Sequence, residues 1–121
     1  MNTHADSEAI AMLQEVVEHD PERVYQAPAH QENGDACYYV HTNVSGGLVG
    51  PGCLFGHVAY RLGVPLEELA MHEGNAAQQV FSKLFPSLSS PTLRTFDCIQ
   101  EYQDSGYSWE GAYEAAMGKR V

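Results

Sequence analysis

The chain has 121 residues, sixteen acids against six lysines and arginines, and a formal net charge of −10. That length supports one domain, residues 1–121, with a single core that needs no covalent staples. The charge opposes nucleic-acid backbones, which Lys and Arg must neutralise, and the odd number of cysteines, three, argues against a disulfide framework and for a reducing compartment.

Residues 1–5 precede any periodic signal and are expected to be disordered. From Asp6 to His19, Ile10, Leu13 and Val17 fall at i, i+3 and i+7, and Met12 and Val16 widen the stripe, which predicts an amphipathic helix ended by Asp20-Pro21. Gln31-Glu32-Asn33-Gly34-Asp35 reads as a turn, and Tyr38 to His41 as a strand. Asn43-Val44-Ser45-Gly46-Gly47 turns the chain into a second short strand through Leu48 and Val49. Such a hairpin is marginal alone and must lie on helices.

Helices are then predicted over Cys53 to Leu62, ended by Gly63, and over Leu66 to Glu73, opened by Pro65 and stopped at Gly74. Asn75 is placed to cap the next one, through Val80, Phe81 and Leu84 to Phe85. Pro91 opens a long helix to Ser105 on which Leu93, Phe96, Ile99 and Tyr102 keep helical spacing. Ser108 caps the last, through Tyr113 to Met117, with Trp109 and Tyr113 one turn apart as core aromatics. The expected fold is mainly α (α+β), a compact bundle of about five helices with a small two-stranded β-hairpin.

Cys37 and His41, then Cys53 and His57, form two Cys-x3-His pairs sixteen residues apart. Thiolate and imidazole are common zinc ligands, so this is the one constellation able to carry chemistry. The first pair lies on the predicted strand, where i and i+4 are about 13 Å apart at about 3.3 Å per residue, too far to share a metal. The second pair lies on a helix, where i and i+4 are neighbours. A four-ligand site would need one residue of the strand pair and another from His72 or a carboxylate, and C-x2-C spacing is absent. Cys53 also falls at a helix N-terminus, where a thiol pKa drops, with His57 one turn on as a base. Yet Leu54, Phe55 and Val58 make that helix apolar, which accounts for Cys53 as a core thiol, as for Cys98. No catalytic, cofactor-binding or metal residue is therefore assigned, and a zinc or reactive-thiol protein using Cys53 and His57 is the alternative.

Ala59-Tyr60-Arg61-Leu62-Gly63-Val64-Pro65-Leu66-Glu67-Glu68-Leu69 has the spacing of a helix-turn-helix, a second alternative. Its second helix carries Glu67, Glu68 and Glu73 and no Lys or Arg, so phosphate contacts would be repelled and no nucleic-acid partner is expected. The stretch from Pro51 to Leu69, with its Cys-Leu-x-Gly-His helix before Leu-Gly-Val-Pro, resembles small acidic proteins of actinobacteria and their phages. The likeness extends to Asp20-Pro21-Glu22-Arg23-Val24-Tyr25 and to Gln103-Asp104-Ser105-Gly106-Tyr107-Ser108-Trp109. It implies an accessory protein without assigned activity and transfers no catalytic residue.

The sequence therefore predicts a non-enzymatic accessory protein that acts through protein–protein contacts and modulates a host protein through an acidic helical surface. Glu15, Glu18, Glu67, Glu68, Asp97 and Glu101 are the candidate partner-binding residues. Self-association through an exposed apolar patch is equally open. No basic region followed by an apolar run marks a signal peptide, and no apolar stretch approaches the roughly 18 residues of a membrane span, so a cytoplasmic protein with no membrane partner is expected.

Overall fold

The computed structural model describes residues 6–25, 38–45, 47–73 and 75–118. Residues 1–5, whose disorder was an expectation, lie outside these, as do His4, His30, Cys37, Gly46, Gly74 and the turn at 31–35. Among the described residues the fold is mainly α, with six helices and one antiparallel two-stranded sheet. The elements run α1 (Asp6–His19), β1 (Val40–Thr42), β2 (Leu48–Pro51), α2 (Leu54–Arg61), α3 (Leu66–Ala70), α4 (Ala77–Leu84), α5 (Ser90–Asp104) and α6 (Trp109–Gly118).

The predicted apolar stripes build one core. Ala9, Leu13, Val16 and Val17 turn inward from α1, and α1 packs on α2 and α6. On α5, Leu93, Phe96 and Ile99 are buried, and this helix packs against α4 and α6. At the centre, Phe55 of α2 meets Phe81 edge-on at 5.7 Å and lies tilted against Phe96 at 5.0 Å, while Phe81 and Phe96 are perpendicular at 5.2 Å. Edge-on rings align each positive rim with a negative face, which adds to the burial energy. Gly63 and Gly106, at φ of 106° and 101°, end α2 and α5 in the left-handed region that favours glycine.

β1 pairs with β2 in the register Val40↔Pro51, His41↔Gly50 and Thr42↔Leu48, with an irregularity between His41 and Thr42. Asn43 Oδ1 closes the turn by accepting from the Ser45 and Gly47 amides at 3.0 and 2.9 Å. The first strand starts two residues later than predicted. The amides of Tyr39 and Val40 donate instead to the two carboxylate oxygens of Glu73, at 2.9 and 3.0 Å. α3 stops at Ala70 rather than at Glu73, which lies past the helix end and meets these two amides. Burial raises the Glu73 pKa, and the two amide donors act against that rise.

Two buried glutamines, one turn apart on α5, cap other helices. Gln103 Oε1 accepts from the Leu54 amide at the start of α2, at 2.8 Å. Gln100 Oε1 accepts from the Ala77 amide at the start of α4, at 2.7 Å, and its Nε2 donates to the Tyr39 hydroxyl at 3.2 Å. The residues at the N-cap positions are Cys53 and Ala76, whose side chains make no capping bond. Asn75 is therefore not the cap of α4, because a distant side chain satisfies the first-turn donor that a local cap would take.

Candidate functional site

Cys53 stands just before α2, its amide donating to the Tyr38 carbonyl at 2.9 Å and its carbonyl accepting from the His57 amide at 3.0 Å. Its side chain is 0% exposed, so the helix-start thiol is closed to solvent. Cys98 is a half-buried thiol packed on the core. Cys37 lies outside the described residues. Among the described residues, no three His, Cys, Asp or Glu side chains gather as a metal site.

His57 belongs to a different cluster. Its ring packs edge-on against Trp109 of α6, with centroids 5.2 Å apart. The Arg23 guanidinium lies over the same indole, 4.9 Å from its centroid, a cation–π arrangement. The backbone fixes this corner: Trp109 N donates to the Arg23 carbonyl at 2.8 Å, and Glu110 N to the Pro21 carbonyl at 2.9 Å. Ser108 Oγ accepts from the Gly111 amide at 3.0 Å and caps α6 as the sequence predicts. Alongside, His41 Nε2 lies 3.3 Å from the Tyr25 hydroxyl, which also accepts from the Tyr38 amide at 2.8 Å. A Cβ on Gly52 would come within 2.7 Å of His41 Nε2 and 2.3 Å of the Tyr38 carbonyl, so this glycine lets β1 and its histidine close on the start of α2.

Two buried polar atoms in this corner, His57 Nε2 and Trp109 Nε1, meet no hydrogen-bond partner. Burial, then the charges of Arg23, Arg61 and His41, push the His57 pKa down to about 4, with Asp20 acting against them. His57 is therefore neutral at pH 7. Sequence spacing identified His57 but paired it with Cys53. Its contact with Trp109, fifty-two positions on, has no local signal.

The predicted acidic residues lie on three helices. Glu15 and Glu18 are exposed on α1, Glu67 and Glu68 on α3, and on α5 Glu101 is exposed and Asp97 half-buried. α3 packs chiefly on α2 and the hairpin, α1 on α2 and α6, and α5 on α4 and α6. Each pair thus keeps its own surroundings. Glu18 alone lines a groove of about 340 Å³ between α1 and α6, with Gln14, Val17, Glu110, Tyr113 and Glu114. Gln14 Nε2 donates to the Tyr113 hydroxyl there at 2.9 Å. Tyr113, expected in the core, is half-buried at this groove, and Glu110 and Glu114 are groove residues that the α1 pattern alone does not reveal.

α3 is five residues long and bears Glu67 and Glu68. That is little more than one turn, short for a helix that must track a DNA groove. No described helix is long and apolar enough to cross a membrane. Comparison of the chain with protein-family models, with curated proteins and with solved structures found no match.

Proposed function

We propose that the protein is a non-enzymatic accessory module that binds a basic segment of a partner protein in the groove between α1 and α6. The observation that carries this reading is the lining of that groove. Three carboxylates, Glu18, Glu110 and Glu114, surround the apolar and amphipathic surface of Val17 and Tyr113. A Lys- or Arg-bearing helix with one apolar face complements both features, and the net charge of −10 speeds its approach. Glu15 is exposed on the same helix as Glu18, whereas Glu67, Glu68, Asp97 and Glu101 extend the acidic character to other helices.

The test uses a labelled Lys/Arg-rich amphipathic peptide and fluorescence anisotropy across a salt series. Binding should weaken as salt rises and fall at least 10-fold in the triple variant Glu18→Lys, Glu110→Lys, Glu114→Lys, with Glu67→Lys, Glu68→Lys close to wild type. Equal losses in both variants would mean a diffuse charge effect, and the groove would lose its role.

A further inference from the structure

We propose that the exposed end of the β-hairpin, with Val44, Leu48 and Val49, is the contact through which two copies of this chain associate about a two-fold axis. Seven large apolar side chains are exposed among the described residues, and three of them are these. Val44 is 87% exposed and Val49 65%. The turn is closed, because Asn43 N donates to the Gly47 carbonyl at 2.9 Å and Asn43 Oδ1 accepts from the Ser45 and Gly47 amides. Val44 and Leu48 therefore stand at one end of the hairpin on a backbone already fixed, and docking them freezes little further motion. Val49 is the residue that the register skips, between Leu48 on Thr42 and Gly50 on His41. Such a bulge blunts β2 as an edge for strand addition, so the contact is made by these side chains and not by a shared sheet.

Charge identifies the occupant. No Asp, Glu, Lys or Arg occurs between Asp35 and Arg61, the whole hairpin included, in a chain with sixteen acids and a net charge of −10. A two-fold contact sets a patch against its own copy, so a charged patch meets its like and a neutral one does not. The exposed acids put the helical faces at a disadvantage: Glu15 and Glu18 on α1, Glu67 and Glu68 on α3, and Glu101 on α5. The hairpin end carries no such penalty and offers apolar surface to bury. A basic partner finds no carboxylate on it, in contrast to the groove between α1 and α6. α3 packs against both strands and brings Glu67 and Glu68 into the neighbourhood of the hairpin. Their repulsion between copies, with that of the remaining acids, opposes association at low salt.

Sedimentation velocity on the full chain from about 10 to about 500 µM reads the association, a range suited to a small contact. At pH 7 the average mass should climb from one chain toward two. Raising sodium chloride from about 50 to about 500 mM should tighten dimerisation at least 3-fold, the opposite sign to peptide binding in the groove. Val49→Glu and Val44→Glu should each weaken it at least 10-fold. Arg94→Gln, which makes the chain more negative by the same one charge at an exposed position of α5, should stay within 2-fold of wild type. Circular dichroism shows whether each variant is folded, and Val44→Glu, in an exposed turn, carries the test if Val49→Glu unfolds. A mass of one chain throughout overturns the contact, as does a dimer that both glutamate variants leave intact or that Arg94→Gln weakens equally. A monomer that instead floats with phosphatidylcholine vesicles would give the hairpin end to a lipid surface and overturn it too.

Discussion

Two sets of buried polar groups in this protein have opposite histories. On α5, Gln100 and Gln103 are 7% and 2% exposed, and their amide groups are matched: both carbonyl oxygens accept from the first amides of other helices, Gln100 Nε2 donates to the Tyr39 hydroxyl, and Gln103 Nε2 donates to the neighbouring Asp104. Between α2 and α6, His57 Nε2 and Trp109 Nε1 are equally dry yet unmatched. A satisfied buried network fixes one arrangement of the chain, and here it ties α5 to the starts of α2 and α4. An unsatisfied pair does not stabilise the fold. The glutamines are therefore architectural, and the two unmatched nitrogens of the histidine corner add no comparable tie.

The largest effect that tests this contrast comes from the double variant Gln100→Leu, Gln103→Leu. It strands the buried Leu54 and Ala77 amides, at about 2 kcal/mol each and about 4 kcal/mol together, read by urea unfolding at constant m-value. A loss below about 1 kcal/mol for the pair would show that water replaces them and that the network is not structural.

The pH dependence comes next. The His57 pKa falls from 6.5 to about 4 on folding. Between these values the unfolded chain binds the proton and the folded chain does not, so stability is full above about 6.5 and declines as pH falls toward about 4. The full shift corresponds to about 3 kcal/mol, and solvent screening of a half-buried ring reduces this to about 1–2 kcal/mol. His57→Phe should flatten that limb of the stability–pH curve. Asp6 adds in the same direction at lower pH. Its pKa is lowered by hydrogen bonds from Ser89, so its contribution, present above the ordinary carboxylate value, is lost as pH falls through the folded one. Glu73 acts oppositely, because its raised pKa favours the folded state as pH falls.

Glu73→Gln leaves one acceptor for the Tyr39 and Val40 amides where there are two. It should cost about 1 kcal/mol and speed amide exchange at the hairpin. The smallest effect is the most telling. At pH 7, His57→Phe keeps a ring against Trp109 and removes an unmatched nitrogen, so stability should stay within about 0.5 kcal/mol of wild type. A loss like that of the glutamines would erase the distinction between the two regions.

The helices were legible because their signals are local. The stripe of Leu13, Val16 and Val17, the glycines after α2 and α5, and the Ser108 cap each act within a turn or two. The hairpin was legible too, apart from its first residues. Missed were contacts that span the chain: Glu73 on Tyr39 and Val40, Gln100 on Ala77, Gln103 on Leu54, and Trp109 on His57. A polar residue in a helix reads as solvent-facing unless its distant partner is known. Both glutamines lie within the apolar stripe of Phe96 and Ile99, a signal that could have marked them as buried.

By itself, the sequence determined the elements, the acidic surface and the core-forming faces, because periodicity, capping and charge are properties of short stretches of chain. Tertiary structure decided which of the suggestive residues stand together. It closed Cys53 away from solvent, gave His57 to Trp109 and Arg23, and set Glu110 and Glu114 beside Glu18. Those pairings depend on how helices far apart in sequence pack, and no local rule carries that information.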